Sequence, residues 1–146
     1  ALALQEVMTK GGKIKSKIKK KIEVEGRDKE ALLYNFLEEF LFLLDAEDFL
    51  LNRINKIKID KTDNIKSREK VDGKNKRANL ADDQKLGDYK LTADIIGDKA
   101  SNYRFTNNVK AVTYNSMFVR QDKDKWVCQV VVDVWWYLYK NVNYAI

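Results

Sequence analysis

Asp133 closes the run Trp126-Val-Cys-Gln-Val-Val-Val-Asp-Val134. An acid at the end of a valine strand is costly to desolvate unless a cation, a metal or several hydrogen bonds compensate it. Strand alternation leaves a second reading open, in which Asp133 points opposite to Val132 and Val134 and is simply solvated. The chain contains no histidine, which removes histidine-dependent triads, histidine-ligated zinc and imidazole bases together. Its one cysteine, Cys128, excludes an internal disulfide, fits a reducing compartment and reads as a sheet residue. Any chemistry therefore belongs to carboxylates, lysines and backbone, or to a partner. General acid–base work needs two tuned groups, and a metal-dependent hydrolase would need at least one more positioned acid than this sequence offers.

Asp133 must be held by a hairpin. Val109-Lys-Ala-Val-Thr-Tyr-Asn-Ser-Met-Phe-Val119 and the Asp133 strand are rich in β-branched and aromatic residues, and the polar stretch Gln121-Asp-Lys-Asp-Lys125 separates them. Residues 1–9 read as the last turns of a helix stopped by Gly11 and Gly12. Residues 13–25 set Ile14, Ile18, Ile22 and Val24 against lysines, mostly at period two. The spacing of the isoleucines also suits a helix, and the β-branched content decides for a strand. Asp28 caps a helix over 29–44, whose Leu32, Phe36, Leu37, Phe40 and Leu41 make a wide apolar face that belongs in a core.

Residues 54–60 form a short strand, and 88–99 a half-buried one with Tyr89, Leu91, Ala93 and Ile95 on one face and its end at Gly97. Between them, 61–87 carries almost no large apolar side chain. It is expected to be a disordered insertion between two hairpin strands, because it buries too little surface to offset its ordering entropy. Within it, Val71-Asp-Gly-Lys74 lacks the spacing of a phosphate loop. The result is a single α+β domain over 1–146: two layers, a mostly antiparallel sheet packed against one long helix.

Composition agrees with a soluble, folded protein: 45% hydrophobic and 34% charged residues over 146, with mean hydropathy −0.53. No apolar run approaches the roughly 20 residues of a membrane helix, and nothing in the first residues given reads as a signal peptide. The net charge of +6 is uneven, since residues 10–21 hold seven lysines and no acid. Such a face attracts RNA or an acidic protein. Few aromatics interleave with it as base stacking requires, so a merely solvated lysine face is an equal alternative.

The order Val109-Lys-Ala-Val-Thr-Tyr114, then Met117, then an aliphatic strand ending in Asp133 and one more aliphatic residue, resembles the archease family. Ile22-Glu-Val-Glu-Gly26, Asp28-Lys-Glu-Ala-Leu-Leu33 and the helix through Leu44 are similar to that family's strand and central helix. Tyr89-Lys-Leu-Thr-Ala-Asp-Ile-Ile-Gly-Asp98 is similar to the strand before the Val-Lys-Ala block. The resemblance runs over about 1–134 with one interruption.

It implies a protein cofactor that activates an RtcB-type RNA-splicing ligase, helping its nucleotidylation and multiple turnover in tRNA splicing, with no catalysis of its own. The partner is the ligase, with tRNA reached indirectly. The location is intracellular, in cytoplasm and/or nucleus, with no membrane involved. The alternative is a basic RNA-binding module acting through the 10–21 face. By the same resemblance Asp133 matches the C-terminal aspartate that helps bind a divalent cation, calcium or magnesium, for which oxygen ligands are suited. Val134, where the family's chains typically end, would contribute its main-chain carbonyl.

Lys110 is a candidate contact to RNA phosphate or the ligase's nucleotide, against the plainer reading of an outward surface lysine. Asp98 is a candidate contact to partner or nucleotide, with a turn role equally open. Tyr114 and Met117 read as packing. The family's Asp-His-Thr-Ala-Asp strand is expected upstream of Ala1, making the domain N-terminally incomplete, and 135–146 is an atypical C-terminal extension.

Overall fold

The computed structural model describes residues 1–62 and 88–136. Helix α1 (Leu2–Thr9) ends where Lys10 turns left-handed at φ 48 and donates its amide to Glu6, with Gly11 following at φ 79. Strand β1 (Ile18–Gly26) leads to helix α2 (Lys29–Glu47), whose first turn is capped by Asp28 accepting from the Ala31 amide at 2.7 Å. Strands β2 (Phe49–Lys61) and β3 (Tyr89–Lys99) follow, then a 3-10 turn, Ala100–Asn102. Strands β4 (Asn107–Asp122) and β5 (Lys125–Trp136) complete the described chain.

The α+β class and the antiparallel pairing are as the sequence implies. The strands, however, are divided between two sheets: β1-β3-β2 with β3 in the middle, and the hairpin β4-β5. Helix α2 packs against all three strands of the first sheet and also against β4. The division has a local cause. The Val112 and Val119 amides of β4 donate to the Glu38 and Glu30 carboxylates of α2, at 3.0 and 2.9 Å, so side chains of the helix and not a further strand satisfy them.

The expected apolar face of α2 is buried at Leu32, Phe36, Leu37, Phe40 and Leu41, with Phe36 and Phe40 edge to face at 5.1 Å. The helix continues past residue 44 until Asp48 turns left-handed at φ 52. Strand β2 begins at Phe49, five residues before the expected 54, because Phe49, Leu50 and Leu51 are buried and paired along the end of β3. Gly97 permits this approach: a Cβ there would lie 2.0 Å from the Leu50 carbonyl oxygen. Strand β1 begins at Ile18, so residues 13–17 precede it, although the Lys17 amide already donates to the Gly97 carbonyl at 2.8 Å.

Lys61 and Tyr89 are register partners, making β2 and β3 the two hairpin strands that flank the expected insertion. Of that insertion, 63–87 lies outside the described residues, as does 137–146 of the C-terminal extension. No helix among the described residues is long and apolar enough to cross a membrane.

Candidate functional site

Hairpin parity decides the surroundings of Asp133. Val109 and Val112 are buried and Val132 and Val134 half-buried, forming the inner face, while Asp133 stands opposite Ala111 on the outer face and is exposed. The desolvation cost that singled it out in the sequence therefore does not arise: its carboxylate keeps its water. Lys110 is the extra residue of a bulge, for Val109 pairs with Val134 while Ala111 pairs with Asp133. Its exposed ammonium sits 3.5 Å from the ring centroid of Trp135, itself 61% exposed. Lys110, Asp133, Val134 and Trp135 thus share one end of the hairpin.

A second irregularity separates Thr113 from Phe118, where four residues of β4 bulge out and Ser116 adopts φ 53. The Gln129 amide donates to the Ser116 carbonyl across the bulge at 3.0 Å, and Tyr114 stacks on Tyr34 of α2 at 4.3 Å. Met117 is half-buried against the core, as expected of a packing residue, whereas Tyr114 is 53% exposed and packs only by its stack on Tyr34.

Asp98 lies elsewhere, at the end of β3, and is only 2% exposed. Its carboxylate accepts from the Tyr103 hydroxyl at 2.7 Å and the Lys99 amide at 2.9 Å, with the Lys17 ammonium at 3.9 Å. Chiefly the Tyr103 bond, then the Lys99 amide and Lys17, hold it below the usual carboxylate range against the opposing effect of burial. Tyr103 in turn accepts from the Lys15 amide at 2.8 Å. Nearby, Asp48 accepts from both the hydroxyl and the amide of Ser101 at 2.7 Å, which lowers its pKa. These carboxylates fasten the 3-10 turn and residues 13–17 to the sheet. For Asp98 this geometry supports the turn role, its carboxylate being engaged by Tyr103 and Lys99.

Calcium and magnesium take about six to eight oxygen ligands. Asp133 and the Val134 carbonyl by themselves do not fit that requirement. Among the described residues, no group of three or more Asp, Glu, Cys or His side chains converges.

Sequence reasoning missed two features. Glu30 and Glu38 were not singled out by the sequence, although they flank the apolar face of α2 and accept from β4 amides. The other is a cleft of about 470 Å³ between the first turns of α2, Ile57 and Ile59 of β2, and Trp126 and Cys128 of β5. Its lining is nearly all apolar, with the Lys29 ammonium 4.3 Å from the Trp126 ring centroid. Ile57 and Ile59 alternate with lysines in the sequence, and this signal was available. The cleft includes none of Asp98, Lys110, Asp133 or Val134.

Residues 1–134 match the model of the Archease protein family (MTH1598/TM1083). Among curated proteins, the chain is similar to Protein archease of Pyrobaculum neutrophilum (strain DSM 2338 / JCM 9278 / NBRC 100436 / V24Sta), 33% identical over 137 residues that cover 92% of this chain and 77% of the relative. It is also similar to Protein archease of Pyrococcus abyssi (strain GE5 / Orsay) and of Pyrococcus furiosus (strain ATCC 43587 / DSM 3638 / JCM 8422 / Vc1). Each is 34% identical over 92% of this chain and 80% of the relative.

Proposed function

The chain belongs to the archease family, and on that premise we propose that it activates an RtcB-type RNA-splicing ligase inside the cell. It assists nucleotidylation and multiple turnover in tRNA splicing and catalyses no step itself. The observation that carries this reading is the family match over residues 1–134, which supports an accessory role. The structure adds a consistent surface: one end of the hairpin displays Asp133, Lys110 and Trp135 to the outside, where another protein can reach them. The carboxylates with lowered pKa, Asp48 and Asp98, are occupied in fastening the fold and are poorly placed to shuttle protons.

Asp133 is the residue through which the ligase is engaged. A calcium or magnesium ion held there would take its remaining ligands from outside the described residues or from the ligase. The test is multiple-turnover RNA ligation by an RtcB-type ligase with this protein or its Asp133→Ala variant, alongside thermal melts of both. Loss of stimulation with an unchanged melting temperature is the expected result. Undiminished stimulation by the folded variant would leave Asp133 an ordinary solvated strand end. Calcium or magnesium that raises the melting temperature of the parent but not of the variant would assign the cation to Asp133.

A further inference from the structure

We propose that residues 13–21 form a single-file lysine ladder that binds the phosphate backbone of single-stranded RNA without regard to base sequence. This goes beyond ligase activation and does not depend on it. Lys13, Lys15, Lys17, Lys19 and Lys21 are all exposed; between them Ile14 is buried, Ile18 and Lys20 are half-buried, and Ser16 alone is also exposed, with Ile22 buried beyond. The ladder occupies the outer side of β1, an edge strand, and of the five residues before it.

Those five residues are fastened at nearly every position. The Asn52 side-chain Nδ2 donates to the Ile14 carbonyl, the Lys15 backbone amide donates to the Tyr103 hydroxyl at 2.8 Å, and the Ser16 hydroxyl reaches Asn52 Oδ1 at 3.3 Å. The Lys17 amide closes the series on the Gly97 carbonyl at 2.8 Å. Backbone order is therefore present before any ligand arrives, which lowers the entropy cost of binding. Within β1, the alternate residues Lys19 and Lys21 lie about 6.6 Å apart, close to the separation of successive phosphates along an extended nucleic-acid strand.

Few acids interrupt the row. Asp98 approaches Lys17 from the buried side, Asp94 is the register partner of Lys21, and Lys19 stands opposite Ile96. Lys20 turns the other way and pairs with Glu47. Beyond Lys21 the face becomes mixed: Glu23 pairs with Lys90, and Lys58 with Asp60. The run of lysines without an acid in sequence thus lies at the start of β1, and Arg53 and Lys56 of β2 share its face across Ile96 and Asp94. RNA is favoured over an anionic membrane because the lysine side shows no exposed apolar side chain: Ile14, Ile18 and Ile22 face the core, and Ile96, opposite Lys19, is only 5% exposed. With no aromatic on the ladder, recognition rests on phosphate and carries no base readout.

The experiment is fluorescence anisotropy of a labelled oligouridylate titrated with the full chain at several salt concentrations. Up to five phosphate contacts predict a log–log slope of about −3.5, each contact contributing about −0.7. The triple variant Lys13→Gln, Lys15→Gln, Lys19→Gln leaves the backbone anchors in place. It should make the slope shallower by about two and weaken binding about tenfold or more at low salt, with an unchanged melting temperature. A double variant on the mixed part of the sheet, Lys58→Gln with Lys90→Gln, should bind as the parent does. The proposal fails if binding is insensitive to salt, if the triple variant keeps the parent's slope, or if the double variant loses as much. It also fails if phosphatidylserine vesicles or an acidic polyglutamate bind more tightly than the RNA.

Discussion

Asp98 and Asp133 both follow aliphatic runs near the end of a strand, and the molecule treats them in opposite ways. The three-stranded sheet encloses its aspartate, satisfies it with Tyr103 and Lys99, and uses it to tie down a neighbouring segment. The hairpin displays its aspartate on an uncovered face beside Lys110, which a bulge pushes out of the ladder. The difference follows from what covers each strand. Strand β3 has strand partners on both edges, whereas among the described residues β5 has a strand partner on one edge, β4. One region holds the fold together, and the other trades burial for reach.

The largest effect should come from the shared helix. Phe40→Ala, at a site 5% exposed, should cost on the order of 3–5 kcal/mol in chemical denaturation. It should weaken both regions together, and a loss below about 1 kcal/mol would mean that α2 is not their common support. Glu38→Ala separates them. It removes the acceptor of the Val112 amide and should cost about 1–3 kcal/mol, with faster hydrogen exchange in β4 but not in β3. Glu38→Gln keeps an acceptor and should lose less. Equal acceleration in β3 would erase the distinction.

Tyr103→Phe should give a smaller loss with a diagnostic pH dependence. The folded pKa of Asp98 lies below its ordinary value near 3.8. Its stabilising contribution is therefore complete above that value and lost as pH falls through the folded one. The deficit of Tyr103→Phe relative to the parent should accordingly shrink below about pH 4. A deficit independent of pH from 6 to 2 would mean that the hydroxyl's bond to Asp98 carries no charge-dependent part. Asp133→Ala should have the smallest effect, within about 0.5 kcal/mol, as for an exposed strand residue away from any network. A larger loss in urea unfolding would show that the hairpin, too, depends on its aspartate.

Periodicity made the core of α2, its Asp28 cap and the Asp133 hairpin legible, because burial there repeats every 3.6 or every two residues. The start of β2 was not, since Phe49-Leu50-Leu51 is a short continuous apolar run that reads equally as the tail of the preceding helix. Division into two sheets was invisible for another reason. It depends on glutamates from α2 reaching backbone amides across the fold, and such contacts leave no pattern in local sequence. For the candidate site, Asp133 stood out by its cost in an apolar setting, yet outward parity removes that cost. Asp98 looked like a turn or a contact, and Tyr103, five residues on, was the unread clue.

The two glutamates of α2 have a bearing on where a further strand could add to the hairpin. A strand edge with unpaired amides is a template for another strand, and on β4 two such amides are already taken by Glu30 and Glu38. Among the described residues β5 pairs only with β4, so its outer edge is the side on which the hairpin can grow. Growth that is open on one side and stopped on the other ends after a single step. Two hairpins joining edge to edge would consume both open sides and close as a symmetric four-stranded pair, and a fibre would have no place to continue.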